Sequence, residues 1–380
     1  MLQPSFSLGH NHRRILETLR LYGPMPRIEI ADLTDLQPAT LTRLSQDLID
    51  WGMLEDVDFE SVAQPRSAAK RKTRLLRVNS DRLRMAGIAF TVDRVAVSLS
   101  SLTGEVIAER MVETEMRDPG AVAAMTADIV QELLEGAGLD RQQLLAAGVS
   151  LPINLTDNER RFFTPSEWPL WRGSKPRQIF EAALGVPTWV ENDGHAAALA
   201  EAYFGVGAQM ENFCLIYFAY GLGGGNILHR RLFRGSLGNA AAFGSHFPQD
   251  IPRPSGRDLM RYLEEMGESH RSLFDLPETL GTDTRIDGWL HRAASQLAPL
   301  VHHAQMLLDC EAVVLGGLLP RSVLEALAEH LRILVSEPPS DTQILVSQID
   351  REHFHLGAAS IPQYEVTAPH KYRGRAVKGI

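Results

Sequence analysis

Residues 190–201, VENDGHAAALAE, join the end of an apolar strand, VPTWVEN, to a helix of small residues that begins near Gly194. The Asn192-Asp193 pair at the junction admits three roles. Asp193 can act as a general base toward a hydroxyl. A carboxylate with a neighbouring amide can hold a diol, accepting at one oxygen and donating at another. Both residues are also good helix caps, so capping and ligand binding can coexist. The residues around Asp193 decide among these roles.

On either side, hairpins and helices alternate with glycine-ended strands. Residues 85–112 read as two alternating strands around a turn at Ser101-Leu102-Thr103-Gly104. A helix is predicted from about Pro119 to Gly136, then a buried strand, LLAAGVSLPI. Farther on, ENFCLIYFAYGLGGGNI and CEAVVLGGLLP each run from an apolar strand into glycines. Gly221, Gly223, Gly224 and Gly225, and later Gly316 and Gly317, let backbone approach a ligand closely, or serve turns that need positive φ. The class implied is α/β.

Composition narrows the setting. At 380 residues, two or three domains are expected. The two cysteines, Cys214 and Cys310, offer neither a zinc cluster nor a disulfide framework, which suits a reducing cytosol. No apolar signal core opens the chain and no run approaches the ~18 apolar residues of a membrane span, so a soluble cytoplasmic protein is expected. The net charge is −9, yet residues 1–84 carry 13 Lys/Arg against 11 Asp/Glu. Six cations and no acids lie between Ser61 and Ser80: Arg66, Lys70, Arg71, Lys72, Arg74 and Arg77. A basic module on an acidic body points to a polyanion partner at one end.

Three short helical patterns precede that cluster. Ile15, Leu16 and Leu19 share the face of the first, and Gly23-Pro24 breaks it. The second, RIEIADLT, offers Ile28, Ala31 and Ile30 or Leu33 to a core. After the turn at Asp35-Leu36-Gln37, Pro38 suits the first position of a third helix, with Leu41, Leu44 and Leu48 on one side. Ala39, Thr42, Arg43 and Gln46 fall on the opposite side, the small, hydrogen-bonding or cationic set that enters a major groove. With TRLLRVN as a strand, three helices and a basic hairpin describe a winged helix-turn-helix; a protein-interaction module with solvated charges is the alternative. The DNA-contact candidates are Arg27, Gln37, Ala39, Thr40, Thr42, Arg43 and Gln46, with Arg66, Lys70, Arg71 and Lys72 of the wing against phosphates or in the minor groove.

Residues 11–55, NHRRILETLRLYGPMPRIEIADLTDLQPATLTRLSQDLIDWGMLE, resemble the DNA-binding domain of repressors of the ROK family (repressors, open reading frames, kinases). VENDGHAAALAE, YGLGGGNI and AVVLGGLLP resemble that family's body. The resemblance covers almost the whole chain. It implies a winged helix-turn-helix over residues 1–84, then a two-lobed actin-like (ribonuclease H-like) body. The first lobe is expected at 85–200, completed by about 345–380, and the second at 201–344.

Kinase members open their first strand pair with Asp-Ile-Gly-Gly-Thr-Lys, whose carboxylate helps place the metal and whose glycines approach the phosphates. The corresponding residues are Ala89-Phe90-Thr91-Val92-Asp93-Arg94, with Asp93 at the bend. Catalytic phosphoryl transfer is therefore not expected, and no catalytic residue is assigned. The family's one-His, three-Cys zinc site has no counterpart in HFPQDIPRPSGRDLMRYLEE, so no metal or other cofactor is expected. The resemblance implies that Asn192 and Asp193 meet sugar hydroxyls. Aligning Gly238-Asn239-Ala240 with the family's Gly-Asn-Ala-Gly-Glu-x-Gly-His run puts Ala241 at the second glycine, Ala242 at the sugar-binding glutamate and Ser245 at the histidine, with His246 one residue late. The candidate effector residues are thus Asn192, Asp193, Gly221, Gly223 and His246. The expected partners are an operator in double-stranded DNA, a sugar or sugar derivative, and a second copy of the chain in a dimer or tetramer. Two other readings stay open: a sugar kinase with an accessory DNA-binding domain, and a constitutive DNA-binding dimer without an effector.

Overall fold

The structure is a computed structural model that describes residues 8–61, 74–114, 118–153, 168–248, 251–335 and 342–368. The chain begins with α1 (His10–Tyr22), α2 (Arg27–Thr34) and α3 (Pro38–Asp50), followed by β1 (Leu54–Asp58) and β2 (Arg74–Val78). β1 and β2 pair antiparallel, from Leu54 opposite Val78 to Asp58 opposite Arg74. Ile15, Leu16, Leu19, Leu41, Leu44 and Leu48 are buried together, as their helical spacing requires. In α2 the expected core face needs correction. Ile28 is 58% and Leu33 54% exposed, while Ile30, Ala31 and Thr34 are buried. At ~100° per residue Ile28 lies far around the helix from Ile30, and eight residues give too few turns for an apolar stripe to decide which face packs.

Two five-stranded sheets follow, built to one plan. The first contains β3 (Arg84–Phe90), β4 (Arg94–Ser101) and β5 (Val106–Glu113), then α4 (Pro119–Gly136), β6 (Leu144–Leu151), α5 (Pro176–Leu184), β7 (Thr188–Asn192) and α6 (Asp193–Phe204). Its strand order is β5-β4-β3-β6-β7, antiparallel among the first three and parallel from β3 to β7. The second contains β8 (Phe213–Phe218), β9 (Leu222–Leu228), β10 (Arg231–Phe233), α7 (Gly256–Glu265), α8 (Asp287–Leu308), β11 (Ala312–Gly317), α9 (Arg321–Leu334), β12 (Gln343–Val346) and α10 (His355–Thr367). Its order, β10-β9-β8-β11-β12, repeats the same pattern. Residues 85–112 thus hold parts of three strands where two were expected. The bend at Thr91-Val92-Asp93 is tight, with Thr91 N–H donating to Arg94 O at 2.9 Å, and β3 is buried at every position, so no polar alternation marks its end.

The two lobes exchange helices. α6 packs against β8 and β9 of the second sheet, α10 against β3 and β6 of the first, and the two helices pack on each other. The close approach is set by glycine. A Cβ at Gly148 of β6 would lie 2.4 Å from Ala358 O, and one at Gly194 of α6 would lie 2.5 Å from the backbone of Gly224 in β9.

The N-terminal module is built into this body. Met85, Leu102, Leu145, Ala146 and Val366 share an apolar cluster with Ile15, Leu16 and the other buried residues of α1–α3. Arg13 of α1 donates to the Glu365 carbonyl of α10 at 3.4 Å, and the Arg20 guanidinium lies 4.4 Å above the Tyr203 ring in the last turn of α6. Among the described residues no helix is long and apolar enough to cross a membrane.

Candidate functional site

Two regions gather the candidate residues. The first is the outer face of α3. Gln37, Ala39, Thr42, Arg43 and Gln46 are exposed there and Thr40 is half-buried. Pro38 opens the helix at its first turn, where a missing N–H leaves no bond unmade. Arg43 reaches half-buried Asp47 at 3.4 Å and Gln46 donates to exposed Asp50 at 2.8 Å, both one helical turn away; Arg43 and Gln46 themselves stand in solvent, so these contacts are cheap to exchange for another partner. Arg27 is placed differently. Its guanidinium donates to both oxygens of Asp56 at 2.7 and 3.1 Å and to Ser45 Oγ at 3.3 Å, bracing α2 against β1 and α3. The same hydrogen bonds hold the Asp56 carboxyl below its ordinary range. Arg66, Lys70, Arg71 and Lys72 lie outside the described residues.

The second region lies between the lobes. The bend that would carry the phosphate-binding glycines docks onto the second lobe. Ser272 Oγ donates to Asp93 Oδ2 at 2.6 Å, Thr91 Oγ1 donates to Asp93 Oδ1 at 2.8 Å, and the Arg94 guanidinium lies 4.4 Å over the Phe274 ring. Asp93 is therefore a cross-lobe anchor in this structure. A separate recess opens between α6, the ends of β8 and β11 and segment 347–354. Glu201, Tyr217, Gly316, Gly317, Ser347 and Arg351 are among its walls. Glu201 is buried, which pushes its carboxyl up; Ser347 Oγ and the Val206 N–H, at 3.0 Å, donate to it.

Asn192 and Asp193 stand where β7 passes into α6. Asn192 caps the helix, its Oδ1 accepting from Gly194 N–H at 3.0 Å while its Nδ2 donates to Ile153 O at 2.9 Å. Asp193 Oδ1 accepts from Gly194 N–H at 2.9 Å. Burial pushes its carboxyl up to about 6, against the opposing pull of that hydrogen bond and of His195. Backbone at Gly221 and Gly223 faces open space, since a Cβ there would meet nothing within 4 Å, whereas Gly224 is covered by the Phe243 ring and Gly225 by α6. His246 is exposed and stacks edge-on against Phe247 and His303. Ala241 takes a left-handed φ of 62°, the conformation a glycine at that place would adopt freely.

Three residues near Asp193 were not singled out from the sequence. His195, 2% exposed, sits with Nε2 2.7 Å from Ala240 O and Nδ1 3.3 Å from Glu191 Oε1. Arg234 donates from Nε to Glu191 Oε2 at 2.6 Å and from Nη2 to Glu365 Oε1 at 2.9 Å. His195, the one histidine of the VENDGHAAALAE stretch, four residues after Glu191, was the available signal; Arg234, 43 residues from Glu191, had none.

Two predictions arise from this geometry. A carboxyl raised from 3.8 to about 6 favours the protonated folded state, so its contribution is present in acid and is lost as pH rises through that window. Asp193→Asn is therefore expected to raise thermal stability at about pH 8, by at most ~3 kcal/mol, and to change it little near pH 4, as calorimetry at the two pH values will show. Ala241→Gly is expected to add roughly 0.5–1 kcal/mol in urea unfolding, because relief of the left-handed strain outweighs the extra freedom glycine has in the unfolded chain.

The comparisons with known proteins agree with this arrangement. The y4fQ protein of Sinorhizobium fredii is 31% identical over 366 residues, 94% of this chain and 91% of its own. The DNA-binding transcriptional dual regulator NagC of Escherichia coli K12 is 24% identical over 334 residues, 84% of this chain and 75% of that one. Among solved structures, a ROK family transcriptional regulator described as a homolog of the E. coli MLC protein superposes with a TM-score of 0.76 at 20% identity, covering 94% of this chain and 96% of that one. A ROK family glucokinase from Streptomyces griseus, bound to glucose and AMPPNP, reaches 0.57 at 23% identity, over 73% of this chain and 98% of its own. The two lobes have the actin-like architecture those structures share, and the model of the ROK family matches residues 85–257. This chain belongs to the ROK family.

Proposed function

We propose that this protein is a DNA-binding transcriptional regulator, a repressor of carbohydrate-metabolism genes that acts as a dimer in the cytoplasm and does not phosphorylate sugars. In this reading residues 1–84 bind the operator, and two lobes, 85–200 completed by the C-terminal helix and 201–344, form an effector-responsive body. The observation that carries it is the outer face of α3, where Thr42, Arg43 and Gln46 stand exposed at the spacing of a recognition helix. The wing cations Arg66, Lys70, Arg71 and Lys72 are assigned to phosphates or the minor groove. Two-fold symmetry calls for a palindromic site whose half-sites match the separation of the two α3 helices. Relatives named as transcriptional regulators support the reading.

The effector is assigned to the face of Asn192, Asp193, Gly221 and Gly223, as a sugar or sugar derivative held at its hydroxyls. His246 is retained as a contact in a liganded state in which its loop shifts. Asp93 engaged with Ser272, and Ala89 in place of a metal-holding carboxylate, argue against ATP binding in the kinase manner. The test has two arms. Genomic fragments captured by the full chain are expected to yield one palindromic motif whose affinity falls steeply with salt. A coupled assay of ATP consumption over a sugar panel is expected to show no turnover. Capture without a motif would refute the regulator; turnover abolished by Asp193→Asn would establish the kinase instead.

A further inference from the structure

Buried and half-buried charges behind the effector face form a continuous chain. Loop 234–240 is closed by Ala240 N–H donating to Arg234 O at 3.0 Å, and the Ala240 carbonyl then accepts from His195 at 2.7 Å. On the other side of the ring stands Glu191, whose carboxyl Arg234 and His195 hold below its ordinary range despite burial. A carbonyl and a carboxylate only accept, so the ring must donate from both nitrogens, which an imidazolium does and a neutral imidazole does not. Arg234 carries the connection to Glu365 on α10, and the Glu365 backbone carbonyl accepts from Arg13 of α1. At its far end α6, roughly 18 Å long, meets the same module through Tyr203 and Arg20.

We propose that His195, Glu191, Arg234 and Glu365 form a proton-dependent tie that fastens loop 234–240 to α6 and α10 and thereby holds α1 of the N-terminal module in its docked position. Release of the Ala240 carbonyl, by loss of the second ring proton or by displacement of the loop, loosens α1. Arg234 and His195 are thus positioning residues for the DNA-binding module. The inference deepens the regulator reading and rests on it for its biological use. The groups that bear on the ring are Glu191 of β7, Asp193 at the start of α6, Arg234 of the loop and, through Arg234, Tyr364 and Glu365 of α10. Glu191 and its hydrogen bonds raise the ring's affinity for its proton, while burial and Arg234 oppose it. The tie is therefore complete in mild acid and opens as pH rises through the ring's titration.

Hydrogen exchange read by mass spectrometry on the full chain tests this without DNA. Arg234→Ala strips buried Glu191 of its guanidinium partner and leaves it only His195 of this chain of contacts, so Arg234→Ala with Glu191→Gln is the informative variant. It is expected to raise exchange about tenfold or more in loop 234–240 and equally in α1, with α8 unchanged. In the wild type, α1 exchange, corrected for the intrinsic pH effect, is expected to rise with pH across the titration of His195, and His195→Gln is expected to flatten that rise. Faster exchange confined to loop 234–240, or a pH profile that His195→Gln leaves intact, overturns the proposal. A failure here leaves the regulator reading standing, and a failure to capture any duplex motif leaves the tie standing.

Discussion

Arg43→Ala with Gln46→Ala is expected to weaken specific duplex binding by about 2–6 kcal/mol and to relax sequence preference, since each side chain that reads a base edge is worth ~1–3 kcal/mol. Both lie on the exposed face of α3, and their partners in the free protein are one turn away: Asp50, which is exposed, and Asp47, which is half-buried and also meets His12. Such pairs contribute ~0–1 kcal/mol, so the fold is expected to keep its melting temperature. Fluorescence anisotropy with a captured duplex and with a scrambled one measures both terms, and circular dichroism checks the fold. If affinity and preference stay at wild-type values, the outer face of α3 is a solvated surface, and the N-terminal module reads DNA elsewhere or not at all.

The second large effect concerns the seam between the lobes. Gly148→Ala is expected to cost ~3 kcal/mol or more in denaturant unfolding, at the upper end of overpacking changes. The added methyl would lie 2.4 Å from Ala358 O and 2.5 Å from Pro362 Cδ, and the obstacle is largely α10 itself rather than a side chain free to turn away. Because α10 also carries the carbonyl that Arg13 meets, the variant is expected to reduce duplex binding beyond what its stability predicts. Guanidinium unfolding together with anisotropy separates the two losses. An alanine tolerated within 1 kcal/mol would mean that α10 is not held as tightly on the first sheet as the glycines imply.

The periodic features were legible one residue at a time. Leu41, Leu44 and Leu48 face inward because they recur at the helical period, and Thr42, Arg43 and Gln46 consequently face outward. Pro38 and Asn192 announce helix starts through backbone chemistry that needs no distant partner. Glycines closing β11 and lining β9 marked a two-lobed body by resemblance, and family membership followed. The short helix α2 was misread because eight residues do not average out two exposed apolar side chains. The split of residues 85–112 into three strands was hidden by burial on both faces of β3.

What the sequence by itself determined, then, was the set of locally periodic elements, the residues missing from the phosphate hairpin at Ala89, Thr91 and Val92, and the charge of the N-terminal module. Tertiary structure alone decided what the isolated charges do. Asp93 meets Ser272 across 179 residues of chain, Arg27 braces Asp56, and His195 lies between Glu191 and a carbonyl 45 residues away. A side chain's periodicity is written in its neighbours along the chain, whereas an ion pair requires two distant backbones to be brought within ~4 Å, and that is settled only when the lobes pack.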